Sequence, residues 1–173
     1  KNAPRPVPVF LGLNFGGNHT IVDDPRVRIS ASWMRPSNDG GVQDHRATEA
    51  GRGRSSSRWP VREILQRGYG LAVVYYGDID PDFDDGFQNG VHALYHGQGK
   101  AAPTADQWGS IATWAWGLSR VMDYFAEDTD VDQERVAVVG HSRLGKRAFW
   151  GGARDQRFAL VISNDWGCGG AAL

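Results

Sequence analysis

Two kinds of apolar spacing alternate along the chain. "VPVFLGLNFGGNHT" holds a continuous apolar run at about residues 7–13 before a Gly16-Gly17 loop, and "YGLAVVYYGDI" supplies a second run after a predicted helix from about Arg58 to Gln66. Runs without polar alternation describe strands buried on both faces, as in a parallel sheet covered by helices. Residues 108–128, "WGSIATWAWGLSRVMDYFAED", instead place Ile111, Trp114, Ala115, Leu118, Val121, Met122 and Phe125 at helical spacing, which predicts a long crossover helix. The strand "RVAVVG", a helix opening after Ser142 and the run "FALVISN" at 158–164 follow. Strand, helix, strand, helix, strand is an α/β order with right-handed parallel crossovers. No internal repeat or linker divides the chain.

Two stretches break the pattern. "QDHRATEAGRGRSSSRWP" is the most polar and least periodic, with Arg46, Arg52, Arg54 and Arg58 close together. It reads either as a basic phosphate-binding patch or as a solvated loop in which Ser56 or Ser57 caps the next helix, and the second accounts for the composition more simply. "GDIDPDFDDG" gathers Asp78, Asp80, Asp82, Asp84 and Asp85 and invites a calcium reading. It fails the EF-hand template, because Phe83 stands at the Gly position and Asn89 at the terminal Glu position. A hydrogen-bonded loop after a strand fits better.

Composition narrows the function classes. The chain has 173 residues, 40% hydrophobic and 23% charged, which suits one folded domain with a real core. A net charge of -1 gives no global field for a polyanion, so neither nucleic acid nor membrane is an expected partner. Cys168 is the only cysteine, which excludes an internal disulfide and a cysteine-rich zinc site. No apolar run approaches the ~20 residues of a membrane span. The opening Lys1-Asn2-Ala3-Pro4-Arg5 lacks an initiator Met and a signal-peptide core, so a mature or trimmed N-terminus is expected.

The chemistry concentrates where "VAVVG" runs into His141-Ser142. A serine on a sharp strand-to-helix turn is the nucleophile arrangement of an α/β hydrolase, although the usual G-x-S-x-G has Leu144 at its last position, with Gly145 one residue later. The alternative is structural: Gly140 makes the turn and Ser142 caps the helix. Arg143 and Lys146 shift the balance. Positive charge in a helix's first turn costs roughly 0.3–1 kcal/mol per residue against the dipole, and broken local rules tend to mark functional sites. An ester carbonyl under attack develops negative charge that a fixed cation stabilises, which suits Arg143. Lys146, at i+4 from Ser142, shares its helix face and can hold substrate oxygens. Asp165 closes the next apolar run, and sheet geometry predicts it at the same edge as Ser142, either orienting a histidine or serving as a helix cap or turn former.

"GHSRLGK" (140–146) resembles the G-[C/H]-S-R-x-G-K signature of the glucuronoyl esterases, carbohydrate esterase family 15, particularly its bacterial members. "PVFLGLNFGGNHT", "SRWPVREILQRGYGLAVVYYGDIDPDFDDGFQNGVH", "WGSIATWAWGLSRVMDY" and "SNDWGCGGAAL" are similar to the same family, in its order. The resemblance implies an α/β-hydrolase-type three-layer sandwich with a mostly parallel sheet. It also implies cleavage, without metal or cofactor, of esters joining (4-O-methyl-)glucuronic acid of glucuronoxylan to lignin alcohols. On this resemblance Ser142 is the nucleophile, Arg143 the oxyanion stabiliser and Lys146 a ligand of sugar hydroxyls. Asp165 falls where many members place the catalytic acid, often Glu, while some bacterial members use an acid after a later strand. Trp166 stands where a small residue such as Ser is usual. A secreted or periplasmic location follows from the implied substrate.

The triad order in this fold is Ser, acid, His, and no histidine follows Asp165 before Leu173. Residues 1–173 are therefore expected to be the N-terminal portion of a single longer catalytic domain, with the base in the remainder and an exposed sheet edge near Asn164. The five histidines present are poor substitutes: His141 reads as local packing, and His92 and His96 share a helical face without the Glu of H-E-x-x-H and read as helix-surface or core histidines. His19 and His45 lie in loops. Two other readings stay open: a non-catalytic carbohydrate-binding or scaffold domain on a hydrolase fold, and an acetyl or alkyl carboxylesterase, against which Lys146 favours a more oxygenated acyl group.

Overall fold

The computed structural model describes residues 4–96 and 103–165. In chain order the elements are β1 (Val7–Asn14), the short hairpin strands β2 (Val42–Gln43) and β3 (Arg46–Ala47), α1 (Val61–Gln66), β4 (Gly70–Tyr75), α2 (His92–His96), α3 (Ser110–Phe125), β5 (Val131–His141), α4 (Arg143–Arg154) and β6 (Leu160–Asn164). Turns of 3-10 helix lie at Asn18–Thr20, Glu49–Gly51 and Tyr76–Asp78. Contacts divide the chain into two units, one formed by residues 1–13, 61–73 and 114–173, the other by 14–60 and 74–113.

The first unit is built on a sheet of order β4-β1-β5-β6, in which β1 runs parallel to β5 and β5 parallel to β6. The α/β expectation therefore holds. Val9 and Leu11 of β1 and Val136 and Val138 of β5 are buried, as are Trp114, Ala115, Leu118, Met122 and Phe125 of α3 and Leu144 and Ala148 of α4. Each fully buried Val, Leu, Met or Phe side chain among these contributes about 1.5–3 kcal/mol of transfer free energy. Two residues of the expected helical stripe depart from it, since Ile111 is exposed and Val121 only half-buried. α4 lies unusually close to β6: a Cβ on Gly152 would come within 2.2 Å of the Val161 side chain. On the sheet's other face Phe10, Ala137 and Leu160 form one row in register, and Leu160 and Ile162 stay exposed.

Helix α1 begins at Val61, not near Arg58. Trp59 precedes Pro60, and the proline ring disfavours a helical conformation at the residue before it. Ser56 and Ser57 lie in turns upstream and do not cap the helix. The expected strand through Ile79 ends at Tyr75, where the 3-10 turn takes over and the amides of Ile79 and Asp80 bond back to the Tyr76 carbonyl.

The second unit has little regular structure and is held by side-chain hydrogen bonds around Met34, Tyr75, Tyr76 and Ile79, all buried. Asn14 opens it: its Oδ1 accepts from the Gly17 amide at 2.7 Å, and its amide donates to Asn18 at 2.6 Å. The acidic loop is a hydrogen-bonded structure, as expected. Asp78 accepts from Ser30, Asp80 pairs with His92, Asp82 accepts from Arg35 and Tyr76, Asp84 accepts from the Gly86 amide, and Asp85 accepts from the Phe87 and Asn89 amides. Three of the four arginines of the polar stretch bond within this unit: Arg46 donates to the Ala31 carbonyl, Arg52 to Glu49 and the Asp24 and Val27 carbonyls, and Arg54 pairs with Asp39.

Candidate active site at the head of helix α4

Strand β5 does not pass smoothly into α4. Between them Ser142 takes φ 55 and ψ -134, a left-handed conformation that side chains with a Cβ rarely adopt, and its hydroxyl makes no capping hydrogen bond. The helix-cap reading of Ser142 is thereby overturned, because a cap residue sits in the β region and accepts from an N2 or N3 amide. Such a conformation costs of order 1–3 kcal/mol and persists only where its surroundings enforce it. Here the Ser142 amide donates to the Asn164 carbonyl at 2.9 Å, and the Ser142 carbonyl accepts from the Gly145 amide at 2.8 Å. A Cβ on Gly140 would lie 2.1 Å from the Leu144 carbonyl oxygen, so the turn closes only over glycine.

Closeness also explains the departure from G-x-S-x-G. Leu144 is buried at 2% exposure and packs into the core, while a Cβ on Gly145 would meet the Ser163 hydroxyl at 3.0 Å and the Asn164 carbonyl at 3.2 Å. The small residue needed against β6 has moved by one position. Arg143 and Lys146 lie half-buried in the first turn of α4, Lys146 one turn beyond Ser142 on the same face. They add to the positive end of the helix dipole instead of opposing it with acids. A negative charge developing beside Ser142 would meet this field.

A third cation was not evident from the sequence. Arg147 is wholly buried, and its guanidinium carbon lies 3.2 Å from the centroid of the Trp114 ring of α3. Cation–π stacking of a desolvated guanidinium contributes roughly 2 kcal/mol, so Arg147 ties α4 to α3 just below the serine turn. The only sequence signal was a cation on the helix's apolar side. Asp165 follows the last residue of β6, and the register pairs His141 with Asn164, so Ser142 and Asp165 leave adjacent parallel strands at one edge. Asp165 is exposed and also left-handed, at φ 49.

His141 departs from expectation, whereas His92 takes the core position that was one of its two readings. His141 is exposed and not packed locally. His92 is core: its Nδ1 lies 2.7 Å from Asp80 Oδ1 and its Nε2 3.0 Å from the Thr113 hydroxyl. His19 is wholly buried in its 3-10 turn, where burial and then the charges of Arg52 and Arg54 hold its pKa below the usual 6.5. The side chain of His96, and Trp166 and Cys168, lie outside the described residues. No helix among the described residues is long and apolar enough to cross a membrane, and no cluster of three or more His, Cys, Asp or Glu there is placed to hold a metal.

A parallel sheet whose central strand ends in a strained serine at a helix N-terminus defines an α/β hydrolase. A profile described as glucuronyl esterase of fungi matches residues 88–173. A carbohydrate esterase of an unknown prokaryotic organism is 53% identical over 96% of this chain and 38% of its own length. A 4-O-methyl-glucuronoyl methylesterase of Phanerochaete chrysosporium is 33% identical over 65% of this chain and 25% of its own. The solved glucuronoyl esterase of Solibacter usitatus superposes with a TM-score of 0.86 at 48% identity, covering 99% of this chain and 42% of that one. A structure described as a promiscuous esterase of family 15 from a marine bacterial metagenome gives 0.83 at 51%, covering 99% and 43%. The chain belongs to the glucuronoyl esterases, carbohydrate esterase family 15. It spans about two fifths of the length of the bacterial relatives it matches.

Proposed function

We propose that this chain is part of a single catalytic domain that hydrolyses esters between (4-O-methyl-)glucuronic acid of glucuronoxylan and lignin alcohols. Ser142 Oγ attacks the ester carbonyl, and a histidine outside this chain takes its proton and passes it to the departing alcohol. Arg143 stabilises the oxyanion, Lys146 holds sugar hydroxyls, and Asp165 orients the histidine. Water, activated by the same histidine, then releases the uronic acid and restores the serine hydroxyl. The observation that carries this reading is the strained, uncapped conformation of Ser142, which has a cost and no structural use. Work on plant cell walls would place the whole protein in a secreted or periplasmic location.

A broader ester range is the second reading, favoured by the likeness to an esterase described as promiscuous. The deciding assay offers a benzyl ester of glucuronic acid and an acetyl ester to the longest natural form of the protein and to its Ser142→Ala variant. Serine-dependent turnover of the glucuronate ester supports the proposal, and comparable turnover of both esters supports the broader range. No serine-dependent turnover of either ester by folded protein overturns both and leaves a non-catalytic carbohydrate-binding role.

A further inference from the structure

The second unit carries three rings stacked at its surface. The imidazole of His45 lies on the indole of Trp33 with centroids 5.0 Å apart and planes at 16°, and the Phe83 ring meets the same indole at 4.7 Å and 41°. His45 is exposed, Phe83 is 42% exposed and Trp33 half-buried, so the stack presents ring surface to solvent. Stabilising the core alone would not require that exposure.

The stack is held rigidly from behind. The Trp33 carbonyl accepts from the hydroxyl of buried Tyr75 at 2.7 Å. Buried Met34 donates its amide to the His45 carbonyl at 2.8 Å, and its carbonyl lies 3.1 Å from His45 Nδ1. The hairpin between β2 and β3 turns through Asp44 and His45, both left-handed at φ 47 and 59. Such a turn is relaxed with Asn-Gly, yet here a histidine occupies the second position and sets its ring flat against Trp33. Beside the rings, Arg35 pairs with Asp82 at 3.0 Å, and Asp82 also accepts from the Tyr76 hydroxyl at 2.8 Å. This offers fixed polar groups with cation and anion balanced, which suits a neutral ligand better than an anionic one.

We propose that the Trp33, His45 and Phe83 stack is a platform for neutral pyranose rings, the main chain of the polysaccharide that carries the ester. The C–H face of a sugar packs on an aromatic face while its hydroxyls reach polar neighbours, the division of labour that marks small-ligand sites. This rests on the esterase reading for the identity of the sugar, but not for the binding itself.

The test is calorimetric titration of xylohexaose, neutral and free of ester, into the full natural protein. Phe83→Ala and His45→Asn remove ring surface, and asparagine tolerates the left-handed turn. Tyr124→Ala, at a residue 63% exposed in the first unit, is the control. The expected result is measurable binding, weakened about tenfold by each platform variant, the scale of one well-packed aromatic contact, and unchanged in Tyr124→Ala, with all four proteins melting cooperatively. Absence of binding by the folded wild-type protein, as when another part of the protein covers the stack, overturns the proposal. Equal binding by both platform variants does so too. Turnover of benzyl glucuronate by the same proteins reports separately on the esterase reading, since that small ester does not need the platform.

Discussion

Thr113 and Ser142 are both hydroxyl residues near an acid, and they sit in opposite circumstances. Thr113, in the second unit, is wholly buried, donates to or accepts from His92 at 3.0 Å and reaches the Gly109 carbonyl at 3.1 Å, while His92 in turn meets Asp80 at 2.7 Å. The histidine is further clasped by Trp108, stacked at 4.7 Å, and by the edge of Phe87 at 4.6 Å. Asp, His and hydroxyl in a line resemble a catalytic triad, but every group is already satisfied and no substrate can arrive. Ser142, in the first unit, holds strain, lacks a capping bond, remains partly accessible and precedes a first helical turn that carries two cations. A finished, buried network specifies structure; chemistry needs a group whose bonding capacity is still open.

That contrast breaks most sharply by substitution at the turn. Gly140→Ala forces a Cβ to 2.1 Å from backbone that cannot step aside, so we expect destabilisation on the order of 4 kcal/mol together with loss of turnover. Chemical denaturation of the full protein measures it, and a loss below about 1 kcal/mol would mean that the turn is softer than its geometry implies. His92→Ala removes the imidazole that meets the buried Asp80 carboxylate at 2.7 Å, and should cost about 3 kcal/mol. Its effect on kcat per folded molecule should be negligible. A variant that stayed as stable as wild type but lost kcat would reverse the assignment of the two regions.

Much of this was legible before the structure. Continuous apolar runs gave away β1, β4, β5 and β6, although β6 is not covered on both faces, since Leu160 and Ile162 are exposed, and the helical spacing of Trp114, Leu118, Met122 and Phe125 announced α3. The adjacency of Ser142 and Asp165 followed from two parallel strands ending together. Other features depend on distances that no local pattern encodes. Arg147 is intelligible only once Trp114 is known to lie over it, and His92 only with Asp80 and Thr113. The shift of the close-packing glycine from position 144 to 145 reflects how near α4 lies to β6, and the sign of φ at Ser142 has no signature in residue type at all.

That sign makes a smaller prediction with a clean direction. Ser142→Gly is expected to abolish turnover, on the proposed mechanism, yet to relieve the left-handed strain, so stability should rise by about 1 kcal/mol after allowing for the greater freedom of glycine in the unfolded chain. In a thermal melt this is an upward shift of about 2–4 °C. A lower melting temperature would show that the serine side chain contributes to the fold, as Thr113 does.

The smallest effect separates the two buried histidines. Both His19 and His92 are wholly buried, but His92 is bonded to Asp80 and Thr113, whereas His19 sits among the charges of Arg52, Arg54 and Glu49 with a backbone hydrogen bond at Thr48. Burial, followed by the charges of Arg52 and Arg54, lowers the His19 pKa from 6.5, so the fold favours the neutral ring. A group whose folded pKa lies below its unfolded value contributes stability that is complete above the unfolded pKa and drains away as pH falls through the folded one. Acidification below pH 6.5 should therefore weaken wild type more than His19→Gln, which cannot take up that proton. Asp24 and Asp155, held at about 2 by hydrogen bonds from Arg26 and Arg157, stay charged across this window and do not blur it. Urea midpoints at about pH 7.5 and pH 5.5 for both proteins give the comparison. Parallel losses in the two would place the acid sensitivity elsewhere and make His19 as settled a core residue as His92.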